Sequence, residues 1–251
     1  MKWRLYPDDV LPLWVAEMDA ELAPAVREAL QAAIRRGDTG YPFVEQYAQA
    51  LSDFAARRWD WTGLRADHTA LVPDVMLGIT EVLRLITEPG DAVVVTPPVY
   101  PPFYAFPTSA GRRIVEAPLG ADGRLDLQTL DSAMERAAST SRQAVLLLSN
   151  PHNPTGAVHT REELQALVTL AAAHRVRIIS DEIHGPLVLP GARFTPLLSI
   201  TGDAFVVTSA SKAWNLAGLK AGLIIAGEEC VSDLRRLPEE VRHGASHLGV
   251  I

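Results

Sequence analysis

The chain has 251 residues, of which 48% are hydrophobic, a net charge of −7 and one cysteine, Cys230. That apolar content supports a large core without staples, the lone cysteine excludes a disulfide framework and fits a reducing compartment, and the acidic balance leaves no basic footprint for nucleic acid. The first nine residues hold no signal-type apolar region and no apolar run reaches membrane-spanning length, so a soluble cytoplasmic protein with no membrane partner is expected.

Residues 1–22 carry few helix signals, and the stretch Leu11 to Asp19 reads as an extended arm whose Trp14 is expected to pack on the core. Pro24 suits a first helical position, and Val26, Leu30, Ala33 and Ile34 recur at helical spacing until Gly37. Tyr41 follows in a turn. A second helix is expected over 44–59 with Tyr47, Leu51, Phe54 and Ala55 on one side, then a strand over 69–72. Pro73-Asp74 turns the chain into a helix carrying Val75, Ile79, Val82, Leu83 and Ile86. The unpaired N–H groups of Val75 and Met76 at its start form an anion site that needs no charged side chain, and Asp74 reads as its cap.

A strand over 92–96 ends in the proline-rich turn Pro97 to Phe103, which holds Tyr100 out of any following helix interior. Further strands are expected over 112–116, 144–148 and 176–180, with a helix over 126–138 that turns Leu127, Leu130 and Met134 inward. Thr160 and Glu163 form a capping-box pattern at the head of another helix, and His174 suits its last turn. Past the strand over 144–148, prolines on both sides of Asn153 stiffen the loop and leave its carboxamide free to project. Asp181 stands at the end of the strand over 176–180, where a buried carboxylate is costly unless it meets a cation; alternation sends Glu182 to the other face. Two more apolar runs, 204–207 and 223–226, enclose Ser209, Ser211, Lys212 and Lys220. Hydroxyls and a cation suit a phosphate, while an amine beside them suits a Schiff-base lysine that reacts once it loses its proton.

Strands separated by helices in this order specify a mostly parallel, doubly wound sheet, and Asn153, Asp181 and Lys212 all follow carboxyl ends of strands, where such sheets bind ligands. No metal-ligating cluster is expected.

Three ordered motifs, Ser149 to Gly156, Asp181 to His184 and Thr208 to Gly222, carry a resemblance that runs from Leu11 to the last residue. The chain resembles the fold-type I pyridoxal-phosphate (PLP) enzymes of the class I/II aminotransferase superfamily, and within them the MalY/PatB group of cysteine-S-conjugate (cystathionine) β-lyases. His184 points to that group, because many aminotransferases carry tyrosine there; Asp74 departs from the glycine that many members have. The resemblance implies an α/β fold, a three-layer α/β/α large domain around a central mostly parallel sheet. Residues 1–40 would be an arm and helix on the substrate side, and 41–251 the PLP-binding large domain. The family's small C-terminal domain, with its substrate-carboxylate arginine, is expected to be absent from this chain.

By the same resemblance Lys212 holds the cofactor and acts as the catalytic base, while Asp181 keeps the pyridine nitrogen protonated. Tyr100 stacks on the ring, Asn153 donates to its phenolic oxygen, and His184 lies beside it. Val75, Met76, Ser209, Ser211 and Lys220 serve the phosphate end; Tyr41 reaches the cofactor of a partner subunit in a homodimer; Trp14 and Val15 lie near the substrate. The implied activity is α,β-elimination on a sulfur-containing amino acid, giving thiol, pyruvate and ammonia. The alternatives are a class I/II aminotransferase using the same residues and a truncated, non-catalytic PLP-binding regulator.

Overall fold

The computed structural model describes residues 2–251. Helices α1 (Pro24–Arg36) and α2 (Val44–Trp59) precede strand β1 (Thr69–Val72) and helix α3 (Val75–Ile86). Then come β2 (Ala92–Val95), α4 (Pro102–Ser109), β3 (Arg113–Glu116), α5 (Leu127–Ser139), β4 (Val145–Ser149), α6 (Arg161–Ala173) and β5 (Arg177–Asp181). Strands β6 (Ala204–Thr208) and β7 (Gly222–Ala226) complete a seven-stranded sheet of order β1-β7-β6-β5-β4-β2-β3. Neighbours from β6 through β5, β4 and β2 to β3 are parallel, whereas β7 is antiparallel to both β6 and β1.

The strands β2, β4, β5, β6 and β7 read as near-continuous apolar runs because both sheet faces are covered, as parallel sheets require. Alternation sorts their side chains into two cores. Val94, Leu146, Leu148, Ile178 and Val206 pack with Leu130 and Met134 of α5 and Leu164 and Leu167 of α6. Val93, Val95, Leu147, Ile179, Phe205 and Val207 pack with Ile79, Val82 and Leu83 of α3 and Phe103 of α4. The result is the three-layer α/β/α arrangement expected.

Local signals explain the helix ends. Gly37 closes α1 in the left-handed region at φ 71°, and its N–H bonds Ile34 O. Asp126 caps α5 through Gln128 N and Thr129 N, and Thr160 with Glu163 completes the reciprocal capping box of α6.

The proline-rich turn leads into a helix, α4, which starts at Pro102, where a missing N–H costs nothing, and leaves Tyr100 outside it as expected. Two expectations are corrected. Leu127 is exposed, since it is the first residue of α5 and its side chain lies outside the packed stripe. Trp14 does not pack on the core; it is 48% exposed. No helix among the described residues is long and apolar enough to cross a membrane.

Candidate active site

Registry along the sheet brings the chemistry together. Ser149 at the end of β4 lies beside Asp181 of β5, and Asp181 lies beside Val207 of β6, so the loops bearing Asn153 and Lys212 flank Asp181 on adjacent strands. Because β1 and β6 are each antiparallel to β7, they run in the same direction, and the start of α3 falls on the same edge. A cavity of about 570 Å³ opens there. Asn153, Asp181, His184 and Lys212 line it together with Tyr100, Val75 and Met76 at the head of α3, and Ser209, Ser211 and Lys220. Trp14 and Val15 form part of its wall. Tyr41 does not line it: the side chain is 84% exposed, its ring edge-on to His243 at 5.7 Å.

The chain's lysines are Lys2, Lys212 and Lys220. Lys2 pairs with Asp19 at 2.8 Å and Lys220 with Asp74 at 3.0 Å, while Lys212 has no carboxylate within ion-pair distance among the described residues. The Asp74–Lys220 pair also settles the negative charge at the head of α3. One Asp74 oxygen accepts from Leu77 N at 2.9 Å as a helix cap, and the other takes the lysine. Among the described residues the amides of Val75 and Met76 have no acceptor, as the first turn of a helix leaves them.

Burial pushes the Asp181 carboxyl up to about 7, against the opposing pull of the Ile183 N–H, which donates to Oδ1 at 3.1 Å, and of the Lys212 charge. The group is poised to ionise as soon as a cation reaches its free oxygen. His184 is pushed down by burial and then by Lys212, so its imidazole is neutral near pH 7. Burial raises the Tyr100 phenol, with Asp181 and Asp74 adding to the effect. Among the described residues the Asn153 side chain has no hydrogen-bond partner, while its backbone N–H bonds Ser149 Oγ at 3.1 Å and its carbonyl accepts from Tyr100 N at 3.1 Å. Thus the loops of Asn153 and Tyr100 are tied together with the carboxamide left over. The Ser209 hydroxyl donates to Ala221 O at 2.6 Å and accepts from Ser211 N at 3.1 Å.

Several supporting residues make contacts that no local pattern marks. Tyr47 accepts a hydrogen bond from Ala210 N at 3.1 Å through its hydroxyl, bracing the Lys212 loop from α2. Behind Asp181, the Glu182 carboxyl takes Asn150 Nδ2, Ser180 Oγ and Leu197 N on one oxygen, fixing the root of the Asn153 loop. His152 binds Pro98 O at 2.9 Å and joins that loop to the turn before Tyr100. Helical register turned Tyr47 inward and strand alternation turned Glu182 to the other face, but neither signal named a hydrogen-bond partner, and His152 had no local signal. Among the described residues no group of three or more His, Cys, Asp or Glu side chains could hold a metal. A drier cavity of about 320 Å³ lies behind the Lys212 loop, between α1 and α2, with Arg57 as its charged group.

Comparison with known families gives a match over residues 8–247 to the family described as aminotransferase class I and II. The chain belongs to the aminotransferase class I and II family. Within it, a Mycobacterium leprae protein provisionally named cystathionine beta-lyase is 60% identical over 256 residues, covering 100% of this chain and 64% of that protein. Cystathionine beta-lyase PatB of Bacillus subtilis is 36% identical, covering 86% of this chain and 57% of its own. Among solved structures, a protein of Corynebacterium diphtheriae provisionally named a PLP-dependent beta-cystathionase superposes with a TM-score of 0.90 at 32% identity, over 100% of this chain and 66% of that one. This member of the class I and II family therefore spans about two thirds of the length of such relatives, 64% in the mycobacterial case.

Proposed function

We propose that this chain carries the PLP-binding site of a carbon–sulfur β-lyase that cleaves cystathionine or a related cysteine S-conjugate to a thiol, pyruvate and ammonia. The observation that carries the reading is the convergence of Asp181 and the unpaired Lys212 on one cavity that also holds Asn153, Tyr100 and a helix N-terminus. The names of the similar proteins support the same chemistry.

The residues present fit the cofactor. A buried carboxyl with a single N–H partner on Oδ1 suits a protonated ring nitrogen, whose charge would draw Asp181 into its ionised form. An idle carboxamide at Asn153 suits a phenolic oxygen. The amides of Val75 and Met76, with Ser211 and the Lys220–Asp74 pair at the margin, suit a phosphate. When bound, the cofactor supplies an electron sink next to the substrate Cα.

Given that sink, the remaining work falls to side chains. Lys212 would hold the cofactor through Nζ, and its amine, once free, would take the substrate Cα proton as a general base. Asp181 holds its counter-charge throughout. Tyr100 would bound the cofactor's ring, and neutral His184 adds no second positive charge beside the lysine. Trp14 and Val15 border the space left for the substrate side chain. Loss of the β-thiolate and hydration of the remaining enamine then yield pyruvate and ammonia.

In this reading the protein is a homodimer, with the exposed Tyr41 directed to the partner's site, and works in the cytoplasm. Incubation of the cofactor-loaded, full-length protein with cystathionine separates lyase from aminotransferase. Pyruvate and thiol formed without a keto acid support the lyase; amino transfer that requires a keto acid, with no thiol released, refutes it.

A further inference from the structure

A segment with no regular secondary structure contributes Trp14, Val15 and Ala16 to the wall of the cavity. Its internal clasp is Lys2, a buried cation that donates to both oxygens of Asp19 at 2.9 and 2.8 Å and to Glu17 O at 3.0 Å. That clasp ties the arm to itself. The connection to the body is Asn215, three residues after Lys212. Its Oδ1 accepts from Met18 N at 3.1 Å and its Nδ2 donates to Met18 O at 2.9 Å. Donor and acceptor of one backbone unit are thus both met, as a paired strand would meet them. Among the described residues no other hydrogen bond joins residues 2–20 to residues 24–251.

Asn215 also sits in the left-handed region, at φ 59°. That conformation is unfavourable for most side chains and tolerated by asparagine. A residue kept only for the turn has no need to aim its carboxamide at a segment 197 positions away.

We propose that Asn215 is a positioning residue that fastens the Trp14–Met18 arm to the Lys212 loop, so that the wall facing the amino-acid substrate is held in register with the lysine. The proposal rests on reading the cavity as the amino-acid site. Loss of the clasp frees the arm, weakens substrate binding and leaves the cofactor contacts intact, because neither Asn215 nor Met18 lines the cavity.

The test compares the full-length parent protein with Asn215→Gly and Asn215→Asp, each with and without PLP. Glycine keeps the left-handed backbone at no steric cost and deletes both bonds. Aspartate keeps an acceptor for the Met18 N–H but sets a second oxygen against the Met18 carbonyl. Amide exchange at Met18 is expected to quicken about tenfold in the glycine variant. KM for cystathionine is expected to rise about fivefold, with kcat within twofold and cofactor absorbance per chain unchanged. Aspartate falls between the two. Unchanged Met18 exchange in Asn215→Gly, or faster exchange with unchanged KM, overturns the proposal. A parent protein that binds PLP but does not cleave cystathionine refutes the lyase reading alone, and the exchange comparison then decides the clasp by itself.

Discussion

Glu182 lies against the back of the site with its carboxyl removed from water, and burial pushes it from 4.5 up to about 8. Hydrogen bonds from Leu197 N at 2.9 Å, Asn150 Nδ2 at 3.2 Å and Ser180 Oγ at 3.2 Å all fall on Oε1 and only partly offset the burial. An acid with a raised folded value binds its proton on folding, so its stability contribution is intact below 4.5 and is lost as pH rises towards about 8. At about 1.4 kcal/mol per pH unit across that window, the full loss is on the order of 5 kcal/mol. Glu182→Gln keeps the Oε1 acceptor and removes the proton requirement. Urea unfolding followed by circular dichroism should show variant and parent within about 1 kcal/mol of each other at pH 5. The variant should then gain with each pH unit, to a lead of about 4 kcal/mol near pH 8. A lead that does not change with pH, or a variant less stable than the parent at pH 8, would refute a neutral Glu182.

The opposite sign is expected at Glu163, which the Arg124 guanidinium holds down at about 2. Its contribution is present above 4.5 and lost as pH falls towards 2, so Glu163→Gln should flatten the acid limb of the stability curve by about 1 kcal/mol, solvent screening of the half-exposed pair limiting the effect. Gly227→Ala sets a Cβ at 2.2 Å from Gly202 O, a backbone atom that cannot step aside, and should cost on the order of 3 kcal/mol in urea unfolding although φ there is ordinary. Leu147→Ala opens a void in the fully buried middle of β4 and should cost about 2–5 kcal/mol with little change in cofactor absorbance.

The strands were legible because both sheet faces are covered and the apolar runs are unbroken, and the helices because Gly37, Asp126 and Thr160 mark their ends chemically. The proline run before α4 hid a helix, since proline is as much at home at a first turn as in a loop. Within the site, the residues following strand ends could be read from the chain, and the cavity gathers Asn153, Asp181 and Lys212 from just those positions. Contacts across long separations could not. The pairing of Lys220 with Asp74, 146 positions apart, removes a charge conflict that looks unresolved in the sequence alone, while Tyr47 reaches the Lys212 loop from 163 positions away and the Met18 backbone meets Asn215 of that loop from 197 positions away. Such partners are set by how the layers stack, which no local period encodes.

The most direct measurement is borohydride reduction of the PLP-loaded protein followed by peptide mapping. Reduction fixes a cofactor–lysine bond where it stands, and the chain offers Lys2, Lys212 and Lys220 as the lysines to distinguish. The expected result is one pyridoxyl group on Lys212, absent after Lys212→Ala. A label on Lys220, or a label whose yield survives Lys212→Ala, would contradict the assignment of the buried cavity beside Asp181 as the cofactor site.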